Sequence, residues 1–423
     1  MSGPLFVARR LFLRRRRDHR QGHPLVGAAL GIALSLVPLI TVDHVADAMI
    51  EGIIARYRET STFQLQVRSW GTPDRDEWEQ MRTRLAGRDD LADAWIERQG
   101  FGLARAGASR EGLTLRALPA DLDRRNPAFS GFLSFDSGAW DLDDPESILL
   151  GREAARRLGA SAGDEIRVLT ARRLNDGRYV PRVSRFTVRG VFSSGYQDLD
   201  RTWAFIPLDS GWTILSDESS RTLIGASHAD PDTDTRRASA IIGASLPDRW
   251  TAYDWRELNR YLLGNLESTR DILLFIMALI IIVAVSNVLS SLVMLTLERQ
   301  REIGILKCTG ASPRQITRTF VAAGLLASLA GTLAGLGGGV LVARFINEII
   351  AGVEAVLNLF GSRNGEGIRL LDEGYYLQYI PIRMRWTATA VIGAATFLLS
   401  LGASAIPASR AARLKPLEVL RKH

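Results

Sequence analysis

Four stretches of this sequence carry no charged side chain over a length that crosses a bilayer: Pro24–Val42, Ile272–Leu297, Thr319–Ala343 and Thr387–Ser409. A hydrocarbon core of roughly 30 Å needs about 20 apolar helical residues. Each stretch is dominated by Leu, Ile, Val, Ala and Gly and is bounded by charge. The averages hide this, because 46% hydrophobic and 23% charged residues would suit an ordinary soluble protein. The pattern predicts a membrane protein of four transmembrane α-helices, with spans at 24–42, 272–297, 319–343 and 387–409.

Orientation follows from the basic residues beside the spans. The tail 1–23, the loop 298–318 and the tail 410–423 together hold 17 basic residues against 4 acidic ones, while the rest of the chain is net acidic. An even number of spans puts all three segments on one side, so they are expected to be cytoplasmic (N-in, C-in). Segments 43–271 and 344–386 then lie outside. The Arg14–Arg17 cluster is read as an orientation signal in contact with anionic lipid, not as a nucleic-acid site. A competing reading of the first span is a cleaved signal peptide, because Ala46-Asp47-Ala48 has the small-x-small pattern.

The outer segment is large enough for a domain, expected at 59–254. Short strands are predicted at Phe63–Val67, Ser147–Leu150, Glu165–Leu169, Arg185–Val191 and Thr202–Ile206, and a short helix at Glu153–Leu158 stopped by Gly159. These elements interleave without a βαβ period, so the domain is expected to be α+β. A helix from Trp255 to Glu298 at 1.5 Å per residue runs about 66 Å, roughly twice the membrane core. The region 255–297 is therefore read as a stalk plus the second span, and the first span is extended to about residue 58. A helix break near Gly264 is the alternative.

One cysteine, Cys308, excludes an internal disulfide, and five scattered histidines show no metal-ligand spacing. There is no catalytic constellation, no metal site, and no G-x-x-x-x-G-K-[ST] loop, so the chain is not expected to hydrolyse ATP. No ionisable residue lies within the four stretches, which argues against ion coupling. Ala327, Gly331, Gly335, Gly339 and Ala343 recur every fourth residue and predict a close-packed helix face, within the chain or between subunits. Asn287 is read as a cross-helix hydrogen-bonding group, and Pro38 as a site of helix bending.

The loop 298–318 is too short for an enzyme but long enough for one amphipathic helix. Ile303, Leu306 and Gly310 are expected near one face, with Arg299, Glu302 and Lys307 supplying charge. Its run Glu298, Arg301, Glu302, Ile303, Gly304, Ile305, Leu306, Lys307, Gly310, Ala311, Ser312 resembles the cytoplasmic signature of the MacB/FtsX/LolC–LolE permeases, which are membrane subunits of ABC transporters. Ile148–Glu153, Arg157-Leu158-Gly159 and Gly163-Asp164 resemble the outer-domain motif of that superfamily, and Arg185–Phe192 its next strand. Pro407–Arg413, with Pro416, Glu418, Leu420 and Arg421, is similar to its closing motif. Tyr253–Asn259 and Tyr375–Trp386 look most like the lipoprotein-releasing LolC/LolE branch.

The resemblance implies a non-catalytic permease of the bacterial inner membrane, paired with a second permease copy or paralogue. It implies a cytoplasmic ATPase dimer that holds the ATP and Mg, docked on Glu298, Arg301, Glu302, Ile303, Leu306, Lys307, Gly310 and Ala311. It implies contact of Leu36, Ile40, Ile272, Phe275 and Ile276 with the acyl chains of cargo or lipid. It also implies an outer hook at Thr170–Ser184, with Gly177, Arg178 and Pro181, for a periplasmic lipoprotein carrier; a plain hairpin loop is the alternative there. Lipoprotein release is the expected function. FtsX-like signalling to cell-wall hydrolases and MacB-like peptide export are the alternatives.

Overall fold

The computed structural model describes residues 24–173, 178–230, 233–298, 300–361 and 382–413. Both basic tails (apart from 410–413), Gly177, Arg299 and the stretch 362–381 lie outside the described residues. In chain order, helix α1 (Pro24–Arg56) ends in a π-helical turn, Tyr57–Ser61, and leads to β1 (Leu65–Ser69), α2 (Arg75–Ala86), β2 (Leu91–Ala106), β3 (Ser109–Leu118), β4 (Ser134–Gly138) and β5 (Ser147–Gly151). Next come α3 (Arg152–Leu158), β6 (Glu165–Arg173), β7 (Tyr179–Ser193), β8 (Trp203–Pro207), α4 (Leu208–Ile214), β9 (Ser220–His228), α5 (Thr235–Ala244) and β10 (Trp250–Asp254). After a single turn at Trp255–Leu258 follow α6 (Arg260–Glu298), α7 (Gln300–Cys308), α8 (Pro313–Arg344), α9 (Ile346–Gly361) and α10 (Trp386–Arg413). Contacts divide the chain into two units, one of Met49–Leu266 and one of the described residues of Met1–Ala48, Glu267–Ile368 and Ile380–His423.

Among the described residues, 4 helices are long and apolar enough to cross a membrane: Leu25–Ser61, Arg260–Glu298, Pro313–Arg344 and Trp386–Ser409. Each contains one of the uncharged stretches, apart from Pro24 at the start of the first. The expected unbroken helix from Trp255 is interrupted, but at Asn259 and not at Gly264, through which α6 runs intact. The Asn259 amide reaches back to the Trp255 carbonyl at 2.9 Å, a side-chain bond that competes with helix continuation.

In the helical unit, Leu25, Ala28, Ile32, Leu36 and Leu39 of α1 share one core with Val288 and Leu292 of α6 and Phe320, Ala323 and Ala327 of α8. Helix α8 starts with Pro313 after a capping box in which Ser312 and Gln315 satisfy each other's backbone N–H. Its small residues let α1 approach closely. A Cβ at Gly335 would lie 2.6 Å from Leu36 Cβ, and one at Gly339 would lie 2.7 Å from Ile40 Cβ. At Gly331 it would meet the Ala29 carbonyl at 2.7 Å. The stripe at 331, 335 and 339 is thus filled by a neighbouring helix of the same chain.

The other unit is built on one 10-stranded sheet in the order β10-β1-β9-β2-β3-β8-β5-β7-β4, with β6 pairing both β2 and β7. That double pairing closes β2, β3, β8, β5, β7 and β6 into a ring. Its inside is filled by Ala104, Leu113, Leu115, Ile148, Leu150, Ile166, Val168, Phe186, Val188, Ala204 and Ile206. Ala154, Ala155 and Leu158 of α3 and Ile214 of α4 pack against the same core. Gly159 ends α3 in the left-handed conformation (φ 67°), as its place in the sequence predicts.

Each predicted short strand lies on an observed one, while β2, β3, β4, β9 and β10 were not anticipated. The strand expected from Phe63 begins at Leu65 instead, because Phe63 has φ 57° and turns the chain. The expected loop 170–184 is also shorter. β6 continues to Arg173, and β7 starts at Tyr179 with Pro181 opposite Ala171. Proline fits here because β7 has only β6 as neighbour before Thr187, so one edge needs no N–H donor.

Candidate coupling and docking sites

The loop between α6 and α8 does form a helix, α7, and places the sequence-predicted residues unequally. Ile303 is buried in the same cluster as Ile316 and Phe320 of α8 and Leu295 of α6. It therefore anchors α7 to its own spans and is not presented to a partner. Ile305, two residues on and nearly opposite, is 50% exposed. Gly310 does not share the helical face assigned to it, since α7 ends at Cys308 and Gly310 takes φ 97° in the turn before Ser312. Gly310, Cys308 and Glu298 are exposed, and Lys307 and Ala311 are half-buried. The side chains of Arg301, Glu302 and Leu306 lie outside the described set. The exposure of Ile305 was not anticipated because it is as apolar as Ile303. Only the spacing of two, which puts the pair on opposite sides of a helix, distinguishes them.

The five residues assigned to acyl chains also divide. Leu36 and Ile40 are 1% and 0% exposed, packed against the Gly335 and Gly339 positions of α8, so they offer no open surface. This corrects their assignment: the small-residue stripe draws that face of α1 inward. Ile272, Phe275 and Ile276 of α6 are exposed, Phe275 at 66%. Asn287 is exposed beside Gly31, where an added Cβ would lie 3.3 Å from that of Asn287. Beyond the uncharged stretch of α1, His44 is buried, its Nδ1 2.8 Å from the Ile40 carbonyl and its Nε2 3.2 Å from the Thr389 hydroxyl. Asp47 pairs with Arg385 and lies 3.8 Å from Arg270, linking α1 to α6 and to the start of α10.

In the sheet unit the last turns of α1 are held from several sides. Arg56 Nη1 donates to the Gly195 carbonyl at 3.1 Å, and Tyr57 meets Tyr196 edge-on at 5.9 Å. The adjacent turn is fixed by Asp200, which accepts hydrogen bonds from Ser193 Oγ, Ser194 Oγ and Ser194 N at 2.6–2.7 Å. Burial pushes the Asp200 carboxyl above its usual value, against the pull of those donors. The motif residues Arg152 and Glu153 serve the fold in the same way. Arg152 pairs with Asp136 of β4. Glu153 accepts from Arg156 at 2.7 Å and Arg157 at 2.6 Å, and these hydrogen bonds hold its carboxyl at about 2.

The hook candidate is a β-hairpin arm. Arg178 and Pro181 are exposed on it, and Gly177 lies outside the described residues. Leu103 faces Leu169, and Leu169 faces Val183, so three apolar residues form one row across β2, β6 and β7. All three face outward, Val183 at 61% exposed, with exposed Phe101 and Tyr179 and the exposed Arg167 and Arg185 on the same face. A groove of about 700 Å³ runs beside the arm, lined by Glu146, Arg182, Arg185, Asp209 and Thr213 among others.

Two known families cover this architecture. Residues 25–245 match the family described as MacB-like periplasmic core domain, and residues 274–416 that described as FtsX-like permease C-terminal. The chain belongs to the MacB/FtsX/LolC–LolE superfamily of ABC transporter permeases. Among its relatives is the lipoprotein-releasing system transmembrane protein LolC of Xylella fastidiosa (strain Temecula1), 29% identical over 429 residues and 100% of each chain. LolC of strain 9a5c is 32% identical over 278 residues, which span 65% of this chain and 64% of that relative. LolE of Haemophilus influenzae is 24% identical over 435 residues and 100% of both chains. Among solved structures, the periplasmic region of MacB from Actinobacillus actinomycetemcomitans aligns with 49% of this chain and 95% of its own, at 10% identity and a TM-score of 0.32.

Proposed function

We propose that this chain is the permease subunit of an ABC transporter that releases lipoproteins from the bacterial inner membrane, driven by a separate ATPase. The observation that carries this is similarity along the whole chain, through both the sheet unit and the spans, to LolC and LolE proteins. In this reading the chain performs no catalysis. ATP and Mg are held by a cytoplasmic ATPase dimer, and a second permease copy or paralogue completes the membrane part. Both tails and α7 face the cytoplasm, in keeping with their basic residues.

Helix α7 is the docking element, fastened by Ile303 and offering Ile305 and the following turn to the ATPase. The exposed face of α6 at Ile272, Phe275 and Ile276 is the surface for acyl chains. Acyl contact needs only apolar area, worth about 0.8 kcal/mol per buried CH₂. The row Leu103–Leu169–Val183 with Tyr179 is the surface for a periplasmic lipoprotein carrier. Depleting the chain from cells is expected to leave lipoproteins at the inner membrane. Unchanged lipoprotein sorting with altered cell-wall hydrolysis would instead support the FtsX-like alternative and overturn this proposal.

A further inference from the structure

Two charged side chains meet in the interior of the sheet unit with almost no exposure, Glu97 of β2 at 0% and Arg116 of β3 at 1%. They form a two-pronged pair. Arg116 Nε donates to Glu97 Oε1 at 2.5 Å, and Nη2 to Oε2 at 2.9 Å. Gln99 Nε2 donates a further bond to Glu97 at 2.8 Å. The guanidinium lies 4.2 Å from the Trp203 ring centre and 5.5 Å from that of Phe205. Stability does not by itself call for this arrangement, because a well-packed apolar pair of similar volume is commonly as stable or more so.

What apolar residues could not supply is the third bond of Arg116. Its Nη1 donates to the backbone carbonyl of Thr60 at 2.7 Å. Thr60 sits in the π-helical turn Tyr57–Ser61 that ends the first spanning helix, where carbonyls have run out of helical donors. The turn closes with Thr62 N–H on the Tyr57 carbonyl at 2.9 Å. The next residue, Phe63, is held at φ 57° with its ring edge-on to Trp95 at 4.7 Å. A bulky residue in the left-handed region persists only where its surroundings fix it. The helix is thus converted to β1, which begins at Leu65, within five residues of a carbonyl gripped by a buried cation.

We infer that Arg116, oriented by Glu97, is a positioning residue that locks the end of α1 to the sheet. Displacement of the helix is then passed to the sheet and not absorbed by unwinding of the junction. This rests on the proposed role of the chain in coupling ATP turnover to cargo release.

The test uses the assembled complex in proteoliposomes with a lipidated cargo, reading ATP turnover, cargo released per ATP, and amide exchange by segment. Arg116→Lys keeps the charge and loses the fork. The double variant Glu97→Leu/Arg116→Met removes both charges, and so remains folded where Arg116→Met alone could fail. Both variants are expected to keep ATP turnover, to lose about tenfold in release per ATP, within the usual range of coupling energies, and to exchange faster only around residues 57–65. Normal release per ATP in a folded double variant would overturn the inference. So would faster exchange spread evenly over the sheet, the mark of a purely structural pair. Wild-type complex that turns over ATP without releasing cargo would overturn the functional proposal instead. Local exchange would then decide the lock alone, a confined rise supporting it and no rise refuting it.

Discussion

The side-chain amide of Asn259 donates a 2.8 Å hydrogen bond to the hydroxyl of Thr62, 197 positions away in the chain. Thr62 follows the π-helical turn, and Asn259 immediately precedes α6, so the bond pins together the two places where the sheet unit continues into spanning helices. Both residues are buried. Thr62→Val removes the acceptor at nearly constant volume and is expected to cost about 1–3 kcal/mol, because a buried amide donor loses a partner. Asn259→Ala is expected to cost a similar amount, and the double variant less than the sum of the two. Denaturant unfolding of the full chain in detergent, analysed as a double-mutant cycle, measures this. Full additivity would show that the bond contributes nothing.

Gly335→Leu places a branched side chain where even a Cβ would lie 2.6 Å from Leu36 Cβ. Overpacking of this kind costs typically 1–3 kcal/mol, and backbone approach between α1 and α8 leaves little room to relax. The variant is expected to melt earlier in detergent and to give less full-length protein. Gly337→Leu is the control, since an added Cβ there meets nothing within 4 Å. Equal stability of the two variants would remove the packing role of the stripe.

Ile303 and Ile305 are expected to separate folding from partner binding. Ile303→Glu buries a carboxylate among Leu295, Ile316 and Phe320 and should destabilise the helical unit. Ile305→Glu changes an exposed position and should leave the melt unchanged while weakening capture of the ATPase in pull-downs. If Ile305→Glu binds the ATPase as wild type does, α7 docks by another face.

On the hairpin arm, Val183→Asp alters a residue 61% exposed in the centre of the apolar row. Stability is expected to stay within about 0.5 kcal/mol of wild type, as for most surface changes. Binding of a purified lipoprotein carrier, measured by surface plasmon resonance on the full complex, is expected to fall at least tenfold, roughly the effect of a moderate hot spot. Undiminished binding would remove the arm from the docking surface.

Glu153 gives a pH signature. Its folded value of about 2 lies below the 4.5 of an unperturbed carboxyl. The stabilisation it provides is therefore complete above pH 4.5 and is lost as pH falls toward about 2. Glu153→Gln is expected to be less stable than wild type at neutral pH, with the two melting curves converging in acid. Tryptophan-fluorescence melts of the full chain across that range provide the measurement. A constant difference at every pH would contradict it.

What the sequence revealed depended on whether the physical signal was local. The spans were legible because the lack of charge over Ile272–Leu297 is a property of consecutive residues. Ser147–Gly151 and the Gly159 stop were legible for the same reason. β2 was hidden because Glu97 and Arg98 stand where apolar alternation would continue, and their partners, Arg116 and Asp217, are distant in sequence. The choice between Ile303 and Ile305 on α7, and the burial of Leu36 and Ile40, were settled by neighbouring helices that no window along the chain can contain. The arm at Leu169 and Val183 took its meaning from Leu103, a residue on a strand that was itself not anticipated.

Closing six strands into a ring changes how the sheet unit responds to load. An open sheet has a soft twisting motion, because its edge strands are tethered on one side only. A hoop has no such edge around its circumference, so twisting it strains the ladders that close it, the short β5–β8 and β2–β6 pairings first. The β6–β7 arm, where β7 runs beyond its second neighbour, lies outside that closure and is tethered on one side only.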